Sequence, residues 1–134
     1  MERGASEDRA PVHAAYFKGA IAVVLTLGAT WGVLLLGKIG QAKSFHGISV
    51  FEVNAHGHAQ IFGWVGLFVM GAMLRLLPAL WEAPPATPRE SRPILALMLA
   101  GILVRCTGMY LAGKWSGALA LALAGGGLEL AAIG

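Results

Sequence analysis

The chain has 134 residues, 57% of them hydrophobic and only 13% charged, about half the charged share of an ordinary soluble domain. That balance excludes a soluble globular enzyme. The formal charge of +3 sits on Lys and Arg scattered singly between apolar runs, which also excludes a cationic stripe for nucleic acid. A mean hydropathy of +0.69 and 19 glycines instead fit packed membrane helices, where small residues let backbones approach closely. The predicted class is all-α: a transmembrane helical bundle of about four spans, with the lipid bilayer as its main partner. The one cysteine, Cys106, falls in an apolar run and has no intrachain disulfide partner.

In chain order, residues 1–18 read as a polar cytoplasmic tail of mixed charge, with Pro11 near its end and His13 a solvated bystander. Residues 19–134 form the transmembrane domain. The charge-free stretch 19–37 predicts the first span. A signal peptide is the alternative, since Gly40-Gln41-Ala42 offers a small-x-small site, but such apolar cores run only ~7–15 residues. Gly28 and Gly32 form a G-x-x-x-G pair, read as a packing face. Residues 38–53 read as a wet loop carrying Lys38, Lys43, His46 and Glu52. Asn54 then caps a second span, 55–77. Pro78 closes that span, Trp81 anchors it at the interface, and Arg75 snorkels to the surface.

Residues 82–92 hold Pro84, Pro85 and Pro88 among charges, a short rigid connector. Pro93 opens a third span, 93–113. The fourth, 115–134, is interrupted by Gly125-Gly126-Gly127 and Glu129. Arg105 and Glu129 are the two charges deepest in apolar surroundings. Antiparallel third and fourth helices place them ~7 Å apart in depth, which predicts a buried pair. A functional version has Arg105 facing a haem propionate or an anionic substrate. The chain stops within an apolar segment, as in a piece or shortened relative of a longer multi-pass protein. Arg3, Arg9, Lys18, Arg75, Arg89 and Arg92 on one side, against Lys38, Lys43 and Lys114 on the other, place the N-terminus in the cytoplasm.

The candidate chemistry lies at the start of the second span, in Asn54-Ala55-His56-Gly57-His58-Ala59-Gln60-Ile61-Phe62-Gly63-Trp64. Imidazole where a membrane helix meets water is costly without a partner, yet it is a good ligand for iron, copper or zinc. On a helix His56 and His58 stand about 200° apart. His58 then shares a stripe with Phe62 and Val65, and His56 with Gln60 and Trp64. Two arrangements stay open. One histidine ligates haem axially with the other as helper, or Gly57 keeps the backbone irregular and both converge on copper or zinc, joined by His46. Gln60 can donate a supporting hydrogen bond. Gly57, Gly63 and Gly66 either admit the edge of a haem or pack helices. Met70, Met73 and Met109 are metal ligands or plain packing. The bland alternative is a polar pair that merely caps a helix. No phosphate loop, C-x-x-C, G-x-S-x-G or paired carboxylates occur, so no catalytic residue is assigned.

At His56-Gly57-His58-Ala59-Gln60-Ile61-Phe62-Gly63 the chain resembles the NnrS family of multi-pass haem- and copper-containing membrane proteins, linked to nitric oxide metabolism in denitrifying bacteria. That family has His-x-His followed by Phe-Gly at this spacing, and a Pro and Trp like Pro78 and Trp81 at the far end of the helix. The likeness covers residues 46–81. It is similar as well to the second helix of haem–copper oxidase subunit I, where a histidine near the outer face ligates the low-spin haem. The resemblance implies His58 as haem ligand, His56 as its companion, an inner-membrane location, and a role in the nitric oxide response. It further implies that a second axial ligand comes from missing helices, another subunit or a homo-oligomer. Two other expectations remain: an electron-transfer relative of oxidase subunit I, and a cofactor-free packing or assembly protein.

Overall fold

Four helices, each long and apolar enough to cross a membrane, dominate the computed structural model, which describes residues 11–134: Val12–Ala42, Val50–Leu80, Pro88–Ala112 and Ser116–Ile133. No strand occurs among the described residues. The chain is an all-α, multi-pass helical bundle, as its hydropathy predicts. Residues 1–10 of the expected tail lie outside the described residues.

Three of the four helices outrun or shift from the apolar stretches that announce them, and the fourth, Ser116–Ile133, keeps to its own. The first starts at Val12, not 19, because Tyr16 and Ala20 are buried and the Tyr16 hydroxyl donates to the Ser91 carbonyl at 2.9 Å. His13 is therefore helical, its ring edge-on to Phe17 at 5.8 Å. The second helix starts at Val50. Its cap is Ser49 rather than Asn54: Ser49 Oγ accepts from the Phe51 amide at 3.1 Å, and the Glu52 carboxylate accepts from the Ser49 amide at 3.0 Å. This is a capping box, two otherwise orphaned amides satisfied reciprocally. Thr87 and Glu90 repeat the device at the start of the third helix, which therefore begins at Pro88 and not Pro93. Pro78 does not end the second helix, which continues to Leu80. The Gly125-Gly126-Gly127 run likewise stays inside the fourth.

Ser49→Ala should cost about 1 kcal/mol, read as a lower midpoint in thermal unfolding of the detergent-solubilised protein. Ser49→Gly should cost only a few tenths, because glycine still tolerates the cap conformation.

The register follows from which residues meet. First and second helices run antiparallel, with Gly71 against Phe17, Gly63 against Val23, Gly28 against Gln60 and Gly32 against His56. Lys38 pairs with Glu52 at the end of this seam. The third lies antiparallel to the second and parallel to the first, with Trp31 edge-on to Tyr110 at 5.4 Å. The fourth folds back along the third at backbone contact. A Cβ at Gly108 would stand 2.9 Å from the Ala118 carbonyl oxygen, and one at Gly125 would stand 2.7 Å from that of Gly101. One end of the bundle thus carries the starts of the first and third helices, and the other carries Lys38, Glu52 and Lys114.

Two stretches depart from α geometry. Val24–Thr30 and Ala59–Gly66 are π-helical and pack against each other across the first seam. Within the first, Thr30 Oγ1 donates five residues back to the Leu25 carbonyl at 2.6 Å. Wide turns of this kind are rare and concentrate at functional sites. The core around them is Tyr16, Ala20, Val23, Ala59, Leu67, Met98, Ile102, Cys106 and Ala132. Large apolar side chains such as Leu25, Leu36, Ile61, Leu123 and Leu130 point outward, as a lipid-facing surface requires.

Candidate functional site

Starting the second helix at Val50 carries both motif histidines inward. His56 lies about 9 Å and His58 about 12 Å along the axis from Val50, so neither sits at the mouth. His58 faces the fourth helix. Its Nε2 lies 2.8 and 3.0 Å from the two Glu129 carboxylate oxygens. Both residues are buried, 8% and 5% exposed. Phe62, one turn on, stacks on the imidazole with ring centroids 4.5 Å apart, which fixes the ring plane. The Glu129 stem lies over Gly101, where a side chain would crowd it. Beside the pair, the Cys106 thiol donates to the Ala55 carbonyl at 3.4 Å.

The predicted Arg105–Glu129 pair is corrected by this geometry. The antiparallel register is as expected, but Glu129 is rotated toward the second helix and takes His58 as its partner. Arg105 lies over Gly126, whose missing side chain leaves room for the guanidinium. Gly126 and Glu129 are three residues apart on one helix face, so Arg105 stands about one turn from the carboxylate. Its Nε has no hydrogen-bond partner. A hollow of about 180 Å³ between the second, third and fourth helices is lined by Arg105, Asn54 and Met109 together with Phe51, Leu119 and Leu123. Toward the opposite end the pair meets only apolar core. Neither His58 nor Glu129 lines the Arg105 hollow.

His56 faces the other way, onto the first helix. Its ring lies against Gly32 and the Gln60 amide against Gly28, each 3.1 Å from where a Cβ would be. The G-x-x-x-G pair is thus a packing face, and what it admits is two polar side chains. His56 Nδ1 and Gln60 Oε1 are both buried without a hydrogen-bond partner. His46 is in the exposed turn Phe45–Gly47, with Nδ1 2.8 Å from Ser44 Oγ. Three-histidine convergence on copper or zinc is therefore not formed, and no group of three or more His, Cys, Asp or Glu is placed to hold a metal among the described residues.

The haem expectation meets a similar obstacle. The Nε2 that would face iron is engaged by Glu129, and no described cavity is lined by His56 or His58. The residues as arranged do not fit a porphyrin unless Glu129 withdraws. Met70 and Met73 line an apolar cavity of about 620 Å³ near Trp81 at the far end, away from the histidines, and Met109 lines the Arg105 hollow.

Two features escaped the sequence reading. The Ser49-x-x-Glu52 box was a legible signal for where the second helix starts. The His58–Glu129 contact, 71 residues apart, left no local trace beyond each residue's isolation in an apolar run. No family model, curated protein or solved structure matches the chain.

Proposed function

We propose that this multi-pass membrane protein acts through His58 and Glu129 as a proton-binding centre within the bilayer, exchanging a proton with the Lys114 side of the bundle. The supporting observation is the buried imidazole–carboxylate contact itself. Ionisable residues inside membrane helices are expensive to keep, and when they face the bundle interior they mark proton or ion pathways. The imidazole can accept a proton and the carboxylate can hold one, so a single proton has two neighbouring resting places. Phe62 holds the ring in plane. Arg105, one turn away, supplies a fixed positive charge that compensates Glu129 when it is ionised, and with Asn54 it lines a hollow on the Lys114 side. In this reading the N-terminal end is cytoplasmic, because Lys18, Arg75, Arg89 and Arg92 gather there.

Infrared difference spectra of the protein in lipid nanodiscs, taken between pH 5 and pH 9, test this. A carboxylic C=O band that changes with pH and is absent in Glu129→Gln is expected. A Glu129 carboxylate that keeps one protonation state throughout would remove the proposal.

A second reading is favoured by the His56–Gly63 motif: an NnrS-like inner-membrane protein that binds haem, with copper as a further metal, in the nitric oxide response. His58 would be the haem ligand and His56 its companion, with the second axial ligand from further helices, another subunit or a second copy of the chain. It requires the imidazole to exchange Glu129 for iron. Haem-supplemented expression should then give a Soret band that is lost in His58→Ala. Colourless, copper-free protein whose Glu129 titrates selects the first reading.

A further inference from the structure

The end of the bundle where the first and third helices begin carries a second hollow, of about 110 Å³, lined by Pro11, Val12, Ala15, Tyr16, Lys18, Pro88, Ser91, Arg92 and Leu95. The Tyr16–Ser91 hydrogen bond sets these two parallel helices in register, so Lys18 and Arg92 come to similar depth on either side of the groove. Lys18 is about 9 Å past Val12 and Arg92 about 6 Å past Pro88, roughly the depth of lipid headgroups if the helix starts mark the water boundary. Neither cation forms an ion pair with a described residue. The nearby Glu90 carboxylate is committed to the Thr87 amide and hydroxyl at 2.9 and 2.7 Å. Beneath the cations the wall is apolar at Leu95, and Ile21 and Ile94 are exposed on the same two helices.

We infer that this groove seats the headgroup phosphate of an anionic phospholipid between Lys18 and Arg92, with an acyl chain descending past Leu95. Two cations facing one hollow leave a zwitterionic headgroup overcompensated, whereas a net negative one is matched. Arg75 and Arg89 at the same end add to the attraction, which acts over about a Debye length. A soluble phosphate would satisfy the cations but leave the apolar wall without an occupant. The inference stands apart from the His58–Glu129 reading and shares no residue with it.

Native mass spectrometry of the full chain, released from vesicles of equal phosphatidylglycerol and phosphatidylcholine, tests it. The protein should retain phosphatidylglycerol selectively, and Lys18→Gln/Arg92→Gln should retain roughly tenfold less. The charge-preserving Lys18→Arg/Arg92→Lys should restore retention, which separates lost binding from lost folding. Lys43→Gln/Lys114→Gln, at the opposite end, should leave it unchanged. Equal retention by the Lys18/Arg92 double variant, equal loss from the opposite-end variant, or displacement of the lipid by millimolar inorganic phosphate would each overturn the site.

Discussion

Glu129→Ala is expected to lower the unfolding free energy by about 3 kcal/mol, because removing one member of a buried pair strands the other. His58 would keep a buried Nε2 with no partner, and the fourth helix would lose its polar tie to the second. Glu129→Gln, which retains a hydrogen-bond acceptor, should cost only about 1–2 kcal/mol. Substituting both, as His58→Leu/Glu129→Leu, should cost less than the two single changes summed, since neither polar group is then left buried alone. Denaturant titration in mixed micelles measures each of these variants, together with the singles His58→Leu and Glu129→Leu. Strictly additive losses would show that the two side chains are not energetically coupled, whatever their distance.

The second large effect belongs to the seam between the third and fourth helices. Gly108→Val places three carbons where the backbone of Ala118 and Ala122 already stands. Nothing flexible is there to move, so the helices must separate. Overpacking of this kind costs about 3 kcal/mol or more when backbone is the obstacle. The same separation would draw Glu129 away from His58, so the variant should also lose the pH-dependent carboxyl band. Gly127→Ala is the matched control. A side chain there meets nothing within 4 Å, and the gain in helix propensity should stabilise slightly, by up to about 1 kcal/mol. If Gly108→Val behaved like Gly127→Ala, the close approach of the two helices would be refuted.

Much of the architecture was readable from composition. Apolar runs gave four spans, and helical periodicity correctly separated His58 with Phe62 from His56 with Gln60. The ends of helices were read less well, because apolar content marks what lies in lipid and not where hydrogen bonding starts. Ser49 and Glu52 are polar and looked like loop, yet together they extend the second helix by more than a turn. That extension moved the histidines from the lip to the interior and so changed their chemistry. The depth of Arg105 and Glu129 also followed from rise per residue alone. Whether Glu129 would choose Arg105 or His58 depends on rotation about the fourth helix, and hydropathy in so apolar a segment carries no information on rotation. The empty positions at Gly101 and Gly126 decided it, by giving the carboxylate stem and the guanidinium separate slots.

The widened turn over Ala59–Gly66 has a consequence for how the second helix is read along its length. An α-helix advances by ~100° per residue, so the extra residue held in that turn sets the azimuth of everything after it. Deleting one residue between Gln60 and Gly66 would remove the wide turn and leave Leu67 and Gly71 aimed at the first helix, whereas winding all of Ala59–Gly66 as ordinary α-helix would swing them off it by about 100°. The polar half and the Trp81 half of this one helix are therefore held in phase by the turn between them, which accommodates a residue that regular winding would not.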